Sequence, residues 1–269
     1  MTWIAFTFYL RDRRRSLIAW MLAIVALVIV MGLFYPSIKD AGADFDAYLE
    51  ALPESMRDTL GASAGSITDP EGYLVSQLYS NMYPLLLLIL GISMAAWAIA
   101  GTESEGTLEV TLAAPVRRSA LAWGRWLATG AALLAVILIS TGALVLISPP
   151  LELTEGIPWW GTWSAAVSMW ALVLVYSSLA FAVGAATGQR SWALAASAVL
   201  AAVGFLGQLF ASLAAPLEYL QPTSPWYWFL GTSPVTNPPG LVSLGLPLAL
   251  AIAFAAAGIW AFGRRDIAT

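Results

Sequence analysis

The chain has 269 residues, of which 59% are hydrophobic and 10% are charged, whereas an average soluble domain carries about 25% charged residues. This composition argues against a water-soluble or disordered chain and predicts an integral membrane protein. Because the sequence has no Cys and no His, it lacks disulfides, thiolate metal ligands and the commonest general base. With a net charge of −4, nucleic acid is a poor candidate partner.

Six long intervals without Asp, Glu, Lys or Arg predict six spans, since a membrane-crossing helix needs about 20 mostly apolar residues. The predicted spans cover residues 17–35, 82–101, 126–147, 163–187, 192–214 and 242–263. Helices are favoured over the strands of a membrane barrel because apolar runs such as residues 85–90 do not alternate with polar residues. We therefore expect an all-α integral membrane protein with six transmembrane helices in a single domain, residues 1–269.

The first 16 residues precede the first span and combine aromatic side chains with four arginines at 11–15. The apolar run of residues 17–35 is too long for the core of a signal peptide, so we do not interpret it as one. One interpretation of residues 1–16 is an interfacial helix with its aromatic groups at the lipid boundary. The other is a simple anchor that keeps positive charge inside, and both remain open.

The distribution of cations predicts the orientation, because Lys and Arg collect on the cytoplasmic side of a membrane. With both termini inside, ten of the 12 cations are cytoplasmic and only Lys39 and Arg57 are external. The sequence thus predicts a multi-pass protein of the plasma (inner) membrane with both termini in the cytoplasm.

Residues 36–81 form the longest external segment. Apolar residues at spacings of three, four and seven between positions 45 and 60 predict an acidic amphipathic helix. Residues 61–66 break this pattern, and the Asp-Pro-Glu sequence at 69–71 predicts a new helix that continues into the second span. The segment is either a cap over an external vestibule or a solvated hairpin packed against the bundle.

The cytoplasmic loop of residues 102–118 predicts a short helix between the second and third spans. Thr102 and Glu105 have the spacing of a capping box, which would start this helix at Thr102. Pro115 would end it, since the residue before a proline avoids the helical region. The helix would bury Leu108 and Leu112 against a soluble partner. It would carry Glu105 and Glu109 on a neighbouring face. An ordinary capped turn is the alternative.

A second external segment, residues 215–241, contains six of the chain's 15 prolines, which a continuous helix cannot accommodate. Its interspersed aromatic residues favour short re-entrant pieces in the outer leaflet, where protein or water must satisfy the backbone. The run Trp226, Tyr227, Trp228 and Phe229 is a candidate outer gate. A structured loop without a gating role is the alternative.

The polar groups inside the spans are expected mainly to hydrogen-bond helix to helix. They comprise Ser140, Thr141, Ser168, Tyr176, Ser177, Ser178, Ser197 and Gln208. An intramembrane enzyme is poorly supported, since these groups have no His, Cys, Lys or acid beside them.

The cytoplasmic loop reads Glu105-Gly106-Thr107-Leu108-Glu109, then Leu112, then Pro115-Val116-Arg117-Arg118. This pattern resembles the hallmark of the permease subunits of ABC exporters of the ABC-type-2 class. Further matching stretches make the chain most similar to the subgroup that includes actinobacterial exporters of polyketides and similar antibiotics. They lie at residues 34–37, 52–57, 68–74, 184–188 and 262–266.

This resemblance implies a half-transporter that dimerises, expected as a homodimer, and binds two separate ABC ATPase subunits. ATP and Mg would be bound by those subunits, and this chain would hold no cofactor. The loop would be the coupling helix, which sits in a groove of the ATPase and transmits its closure. Carried over by position, that role falls on Glu105, Gly106, Thr107, Leu108, Glu109, Leu112, Pro115 and Arg117.

The chain is not expected to be an enzyme, because it has no G-x-x-x-x-G-K-[ST] loop and its single lysine is Lys39. No predicted span carries an ionisable Asp, Glu, Lys, Arg or His, so ion coupling is poorly supported. An ATP-driven exporter of a hydrophobic or amphipathic substrate, such as a drug, an antibiotic or a lipid-like molecule, is favoured. A sensor or scaffold subunit of an ABC complex that does not itself transport is the alternative.

Overall fold

The computed structural model describes residues 2–50, 69–113, 116–210 and 221–265. Within these ranges the chain forms helices and turns and no strands. The helices are labelled in chain order as α1 Thr2–Glu50, α2 Pro70–Ser104, α3 Thr107–Leu112, α4 Arg118–Leu151, α5 Gly161–Thr187, α6 Arg190–Phe210, α7 Pro225–Leu230 and α8 Leu241–Arg264. A 3-10 turn, Gln221–Thr223, precedes α7.

Six of these helices are long and apolar enough to cross a membrane, namely α1, α2, α4, α5, α6 and α8. The prediction of an all-α integral membrane protein with six spans is thereby confirmed. Several helices extend beyond the predicted spans, as α4 does on both sides of residues 126–147. A helix continues past its apolar stretch because its hydrogen bonds are local and its polar ends can be solvated.

Helix α1 runs without a break from Thr2 to Glu50. The predicted interfacial helix of residues 1–16 is therefore not a separate element, since the same helix continues through the first span. Its 49 residues correspond to about 74 Å at 1.5 Å per residue, far more than a hydrocarbon core of about 30 Å. The predicted helix break at 61–66 lies outside the described residues.

Helix α2 begins where the sequence predicts, with Asp69 extended at the N-cap position and Pro70 as the first helical residue. It continues into the second span, also as predicted. Two π-helical segments interrupt it, Leu74–Met82 and Trp97–Gly101. Pro84 follows the first of them. This proline accounts for the interruption, because proline lacks an N–H and crowds the preceding turn of the helix. The second π segment comes directly before the loop that leads to α3.

Helix α5 lies at the centre of the bundle and packs against α8, α2, α6 and α4, while α1 packs mainly against α4. Small residues allow these close crossings. A Cβ atom on Gly258 of α8 would lie 2.6 Å from Cα of Ala182 in α5, so the two backbones meet directly at this point.

Hydrogen bonds between spans confirm part of what the polar residues predict. Ser140 Oγ of α4 pairs with Tyr83 OH of α2 at 2.8 Å, and Trp126 Nε1 of α4 donates to Ser178 Oγ of α5 at 2.8 Å. Three of the polar residues that the sequence singles out have a buried atom without a hydrogen-bond partner among the described residues: Ser168 Oγ, Ser197 Oγ and Gln208 Oε1.

Candidate functional site

Both ends of the described chain and the loop after α2 lie at one end of the bundle. Tyr9 OH, near the N-terminus, donates to Met94 O at 2.7 Å, and Arg118 Nη1 donates to Arg265 O at 2.8 Å. We call this the arginine-rich end, and it comprises residues 2–15, 102–113, 116–118, 188–190 and 264–265. The common location agrees with an even number of crossings.

The loop at this end does not begin with a capping box. Helix α2 continues through Thr102, whose Oγ1 donates back to Ile99 O at 2.9 Å instead of capping a new helix. The predicted helix start at Thr102 is therefore wrong. The break comes at Gly106, which has φ +68°, and α3 starts at Thr107. Glycine suits this turn because residues with a side chain are strained at that φ.

Helix α3 presents mainly polar groups to its surroundings. Leu108 is 0% exposed, and Leu112 is partly buried against the core. The prediction that the leucines contact a partner is wrong for Leu108, because its side chain is already packed inside this chain. The exposed residues between positions 102 and 109 are Ser104, Glu105, Gly106, Thr107 and Glu109. A partner that docks on this surface contacts acids, hydroxyls and backbone.

The second half of the predicted motif leads into α4. Helix α3 ends at Leu112, and Pro115, predicted to end it, lies outside the described residues. Arg117 is exposed and extended, with φ −64° and ψ 131°, at the N-cap position of α4. The loop therefore ends with Arg117 at the surface, while the next residue, Arg118, is tied to the C-terminal segment.

Glu105 is connected to both α2 and α1 through one aromatic side chain. Nε1 of Trp97 donates to Oε1 of Glu105 at 2.9 Å. The guanidinium of Arg13 lies 3.6 Å from the centroid of the Trp97 ring, a cation–π contact. We call Arg13, Trp97 and Glu105 the Trp97 cluster. Two direct contacts, from Glu105 to Trp97 and from Trp97 to Arg13, therefore link Glu105 to α1.

Arg125 of α4 was not among the residues singled out by the sequence, which counts it only as one of ten cytoplasmic cations. Its side chain is 5% exposed and donates from Nη1 to Ala98 O at 2.5 Å and to Thr102 Oγ1 at 2.7 Å. A buried guanidinium is costly unless it is hydrogen-bonded, so these contacts fix α4 to the last turn of α2. Nothing in the sequence distinguishes Arg125 from the exposed Arg117.

The C-terminal segment joins the same end through an ion pair. Arg265 pairs with Glu103 and also donates from Nη1 to Ala185 O at 3.2 Å. Gly188, which ends α5 with φ +71°, leaves room for this pair, since a Cβ there would lie 2.7 Å from Arg265 Nη1. The stretch 184–188 and the described part of the stretch 262–266, residues 262–265, therefore come together in space.

The candidate outer gate lies at the opposite end and divides into two pairs. Trp226 and Phe229 of α7 are buried, with Trp226 Nε1 donating to Ala201 O of α6 at 3.1 Å. Tyr227 and Trp228 are partly exposed. Within the described part of this segment, short helical pieces at Gln221–Thr223 and Pro225–Leu230 agree with the prediction that no continuous helix crosses it, and their re-entry into the outer leaflet stays a prediction. The buried pair holds α7 between the spans.

An exposed ion pair joins α1 to the end of α4 at this opposite end. Lys39 Nζ lies 2.5 Å from Glu152 Oε2, directly after α4 ends at Leu151. The hydrogen bond and positive charge of Lys39 lower the pKa of the Glu152 carboxyl. This pair and the Trp97 cluster thus bind α1 to the bundle at both ends.

The described residues bring together no group of three His, Cys, Asp or Glu that could hold a metal ion. The arginine-rich end consists instead of hydrogen bonds, a cation–π contact and an ion pair that join α1, α2, α4, α5 and α8 around one loop. Direct contacts therefore connect this loop to most of the spans.

Six membrane-crossing helices, with a short polar helix between the second and third, define a multi-pass membrane subunit. The sequence of residues 9–267 matches the family described as ABC-2 family transporter protein, and the chain belongs to this family. A comparison with curated proteins finds no match. Membership makes the chain the membrane component of an ABC transporter, which is not itself catalytic, and implies association with ABC ATPase subunits.

Proposed function

We propose that this chain is the permease subunit of an ATP-driven exporter that moves a hydrophobic or amphipathic substrate out of the cytoplasm or the inner leaflet. Two copies of the chain, as a homodimer in the plasma membrane, assemble with two ATPase subunits. Their arginine-rich ends face the cytoplasm, as the cation distribution predicts. ATP and Mg are bound by the ATPase, and its cycle alternates the permease between inward- and outward-facing states.

The observation that carries this proposal is the connection of the exposed loop to three spans. Glu105 contacts Trp97 of α2 and, through it, Arg13 of α1, while Thr102 contacts Arg125 of α4. An ATPase docked on the exposed acids and hydroxyls of residues 104–109 could therefore move α1, α2 and α4 together. The loop of residues 102–118 acts as the coupling element in this proposal.

The apolar character of the spans supports the substrate class. Between residues 126 and 147, and across α5 and α6 after Arg190, there is no acid or base that would bind an ion or a charged solute. An ionic substrate would lose its hydration without compensation along such a route. Drug, antibiotic and lipid-like molecules share the required apolar body, and the resemblance of the short sequence stretches to antibiotic exporters implies the same class.

Reconstitution in liposomes tests the proposal. The chain and its copurified ATPase are incorporated together, and the movement of rhodamine 6G and of a fluorescent phospholipid is followed with and without ATP. ATP-dependent movement of at least one probe is expected. An ATPase variant whose phosphate-binding lysine is replaced by alanine serves as the control and should support no movement.

The assembly is tested on the same preparation by native mass spectrometry. A mass of two permeases with two ATPases is expected, and the isolated permease should hydrolyse no ATP. If the complex hydrolyses ATP and responds to added ligands but moves none of a broad panel of apolar compounds, the sensor or scaffold function replaces export.

A further inference from the structure

A cavity of about 400 Å³ lies between α5, α6 and α8 near the end of the bundle that carries α7. Most of its wall is apolar and comprises Val175, Leu179, Leu200, Val203, Leu250 and Phe254. Leu200 and Val203 at its rim are also exposed on the outer surface of α6. The cavity therefore opens at the outer surface of α6.

Among the described residues, five polar side chains line this apolar cavity: Tyr176, Gln208, Gln221, Thr223 and Ser224. Oε1 of Gln208 and Oγ of Ser224 are buried, and neither has a hydrogen-bond partner among the described residues. Most buried polar atoms in proteins are paired, so such atoms require an explanation. Here two of them, from α6 and from the residue before α7, border one cavity. A bound molecule with a hydrogen-bonding group would satisfy both.

The lining also restricts the charge and the hydrogen-bonding chemistry of a ligand. Among the residues that the structure describes, no Asp, Glu, Lys or Arg lines the cavity, so these residues offer an ionic headgroup no counter-charge for its desolvation. The amide oxygen of Gln208 only accepts hydrogen bonds, whereas the Ser224 hydroxyl can donate or accept. The ligand that fits is neutral, mainly apolar, and carries a hydroxyl or an amide N–H.

Two glycines of α6 shape the cavity wall. A Cβ on Gly204 would lie 2.7 Å from Tyr176 OH, so glycine at this position gives the phenol its space. A Cβ on Gly207 would meet nothing within 4 Å. A larger side chain at Gly207 can therefore be accommodated by the fold and would occupy the space open to a ligand.

We propose that this cavity binds a neutral amphiphile, with its apolar body between α5, α6 and α8 and a hydroxyl or amide donor at Gln208 and Ser224. This ligand class is that of the proposed cargo, and to that extent the inference rests on the proposed function. A neutral membrane lipid and an exported compound present the same chemistry to the site. Binding itself requires neither the ATPase nor ATP.

Binding is therefore measured on the purified chain in detergent, so that failure here is distinct from failure of transport. The probe is a diacylglycerol with a fluorophore on one acyl chain, followed by fluorescence anisotropy. Saturable binding is expected. The same molecule with its free hydroxyl acetylated should bind about threefold to tenfold more weakly, since one hydrogen bond is lost. A fluorescent phosphatidylglycerol, which is anionic, should bind more weakly still.

Two variants test the location of the site. Gly207→Leu should abolish saturable binding because it fills the cavity. Gly263→Leu is the matched control, since a Cβ there also meets nothing within 4 Å but lies at the arginine-rich end of α8. Gln208→Leu should weaken diacylglycerol binding about threefold to tenfold and leave the acetylated probe unchanged, because only the hydroxyl donor is affected.

Several results would overturn the inference. They are wild-type affinity in a folded Gly207→Leu variant, equal losses of both probes in Gln208→Leu, and preference for the anionic lipid. If Gly207→Leu does not fold, the comparison of the two probes on Gln208→Leu decides the question. Mass spectrometry of small molecules that copurify with wild type but not with Gly207→Leu separates the sources. A neutral lipid or a neutral non-lipid compound supports the site, and an anionic species contradicts it.

Discussion

Trp97 makes two different polar contacts with one side chain. Its indole N–H donates a hydrogen bond to the carboxylate of Glu105 in the loop. Its ring face contacts the guanidinium of Arg13 in α1. It is also buried, so neither contact is freely exchanged for water. At the scale of a residue, this makes Trp97 the side chain on which the proposed coupling most depends.

Replacing Trp97 by Phe removes the indole N–H and keeps a ring for Arg13. We expect ATP-dependent transport to fall about twofold to tenfold, the value of one net hydrogen bond, while the permease and ATPase still copurify. Flux in liposomes and copurification are measured together. Trp260→Phe is the matched control, because Trp260 also lies under an arginine, at 4.1 Å from Arg264, but is exposed. Equal flux in the two variants would contradict a role of the Trp97 N–H.

Arg125 leads to a prediction about stability. Arg125→Lys keeps the charge but loses the planar donor fork, leaving the buried Ala98 carbonyl or Thr102 hydroxyl with a poorer partner. We expect the free energy of unfolding to fall by about 1–3 kcal/mol, as for a buried group that loses a hydrogen bond. Thermal unfolding in detergent measures this loss. The exposed Arg117→Lys should unfold like wild type, and equal melting of the two variants would show that the burial of Arg125 carries no cost.

At the scale of an element, α3 is a short helix with one side packed against the rest of the chain and an exposed polar side. Leu108 packs inside the chain, whereas Glu109 is exposed one residue later. The spacing of the leucines predicts an apolar face correctly. It does not predict which body that face packs against, because the pattern is the same for a partner and for the chain's own bundle.

This arrangement separates folding from docking experimentally. Leu108→Ala should lower the free energy of unfolding by about 2–5 kcal/mol through a cavity in the core. Glu109→Ala should leave thermal unfolding unchanged and reduce the amount of ATPase that copurifies, because only an exposed contact is lost. A Leu108→Ala variant that melts like wild type but loses the ATPase would restore the view that Leu108 faces the partner.

Helices α2 and α7 show how proline acts at the element scale. Pro70 and Pro225 each take the first helical position, where the missing N–H is not needed. The start at Pro70 is predicted from the sequence, whereas the start at Pro225 is not. The π segment before Pro84 is not predicted. Hydropathy places this stretch near the start of a span but does not describe how the backbone adjusts to an internal proline.

For the whole molecule, the orientation in the membrane is the property with the most direct test. The chain has no Cys, so single cysteines can be introduced at exposed positions, Ser104 at the arginine-rich end and Glu155 after α4. In intact cells an impermeant thiol reagent should label Glu155→Cys and not Ser104→Cys. Labelling of both is expected once the cells are opened. The reverse pattern in intact cells would place the arginine-rich end outside and invert the proposed direction of docking.

The sequence by itself determines the class of molecule, the number of spans and the position of the loop. Each of these depends on properties that are local along the chain: apolar length, cation distribution, and the motif from Glu105 to Arg117. The family assignment follows from the same linear pattern and is confirmed by the match over residues 9–267. No contact between distant residues is needed for any of them.

Only the tertiary structure decides which of these local features become contacts. It buries Leu108 and Arg125, leaves Glu105 and Arg117 at the surface, and brings Gln208 and Ser224, each with an unpaired atom, to one cavity. The physical reason is that burial and hydrogen bonding depend on how helices distant in sequence pack, whereas residue type is the same in either environment. An exposed arginine such as Arg117 and a buried arginine such as Arg125 have the same side-chain chemistry, and only the packing of the surrounding helices distinguishes them.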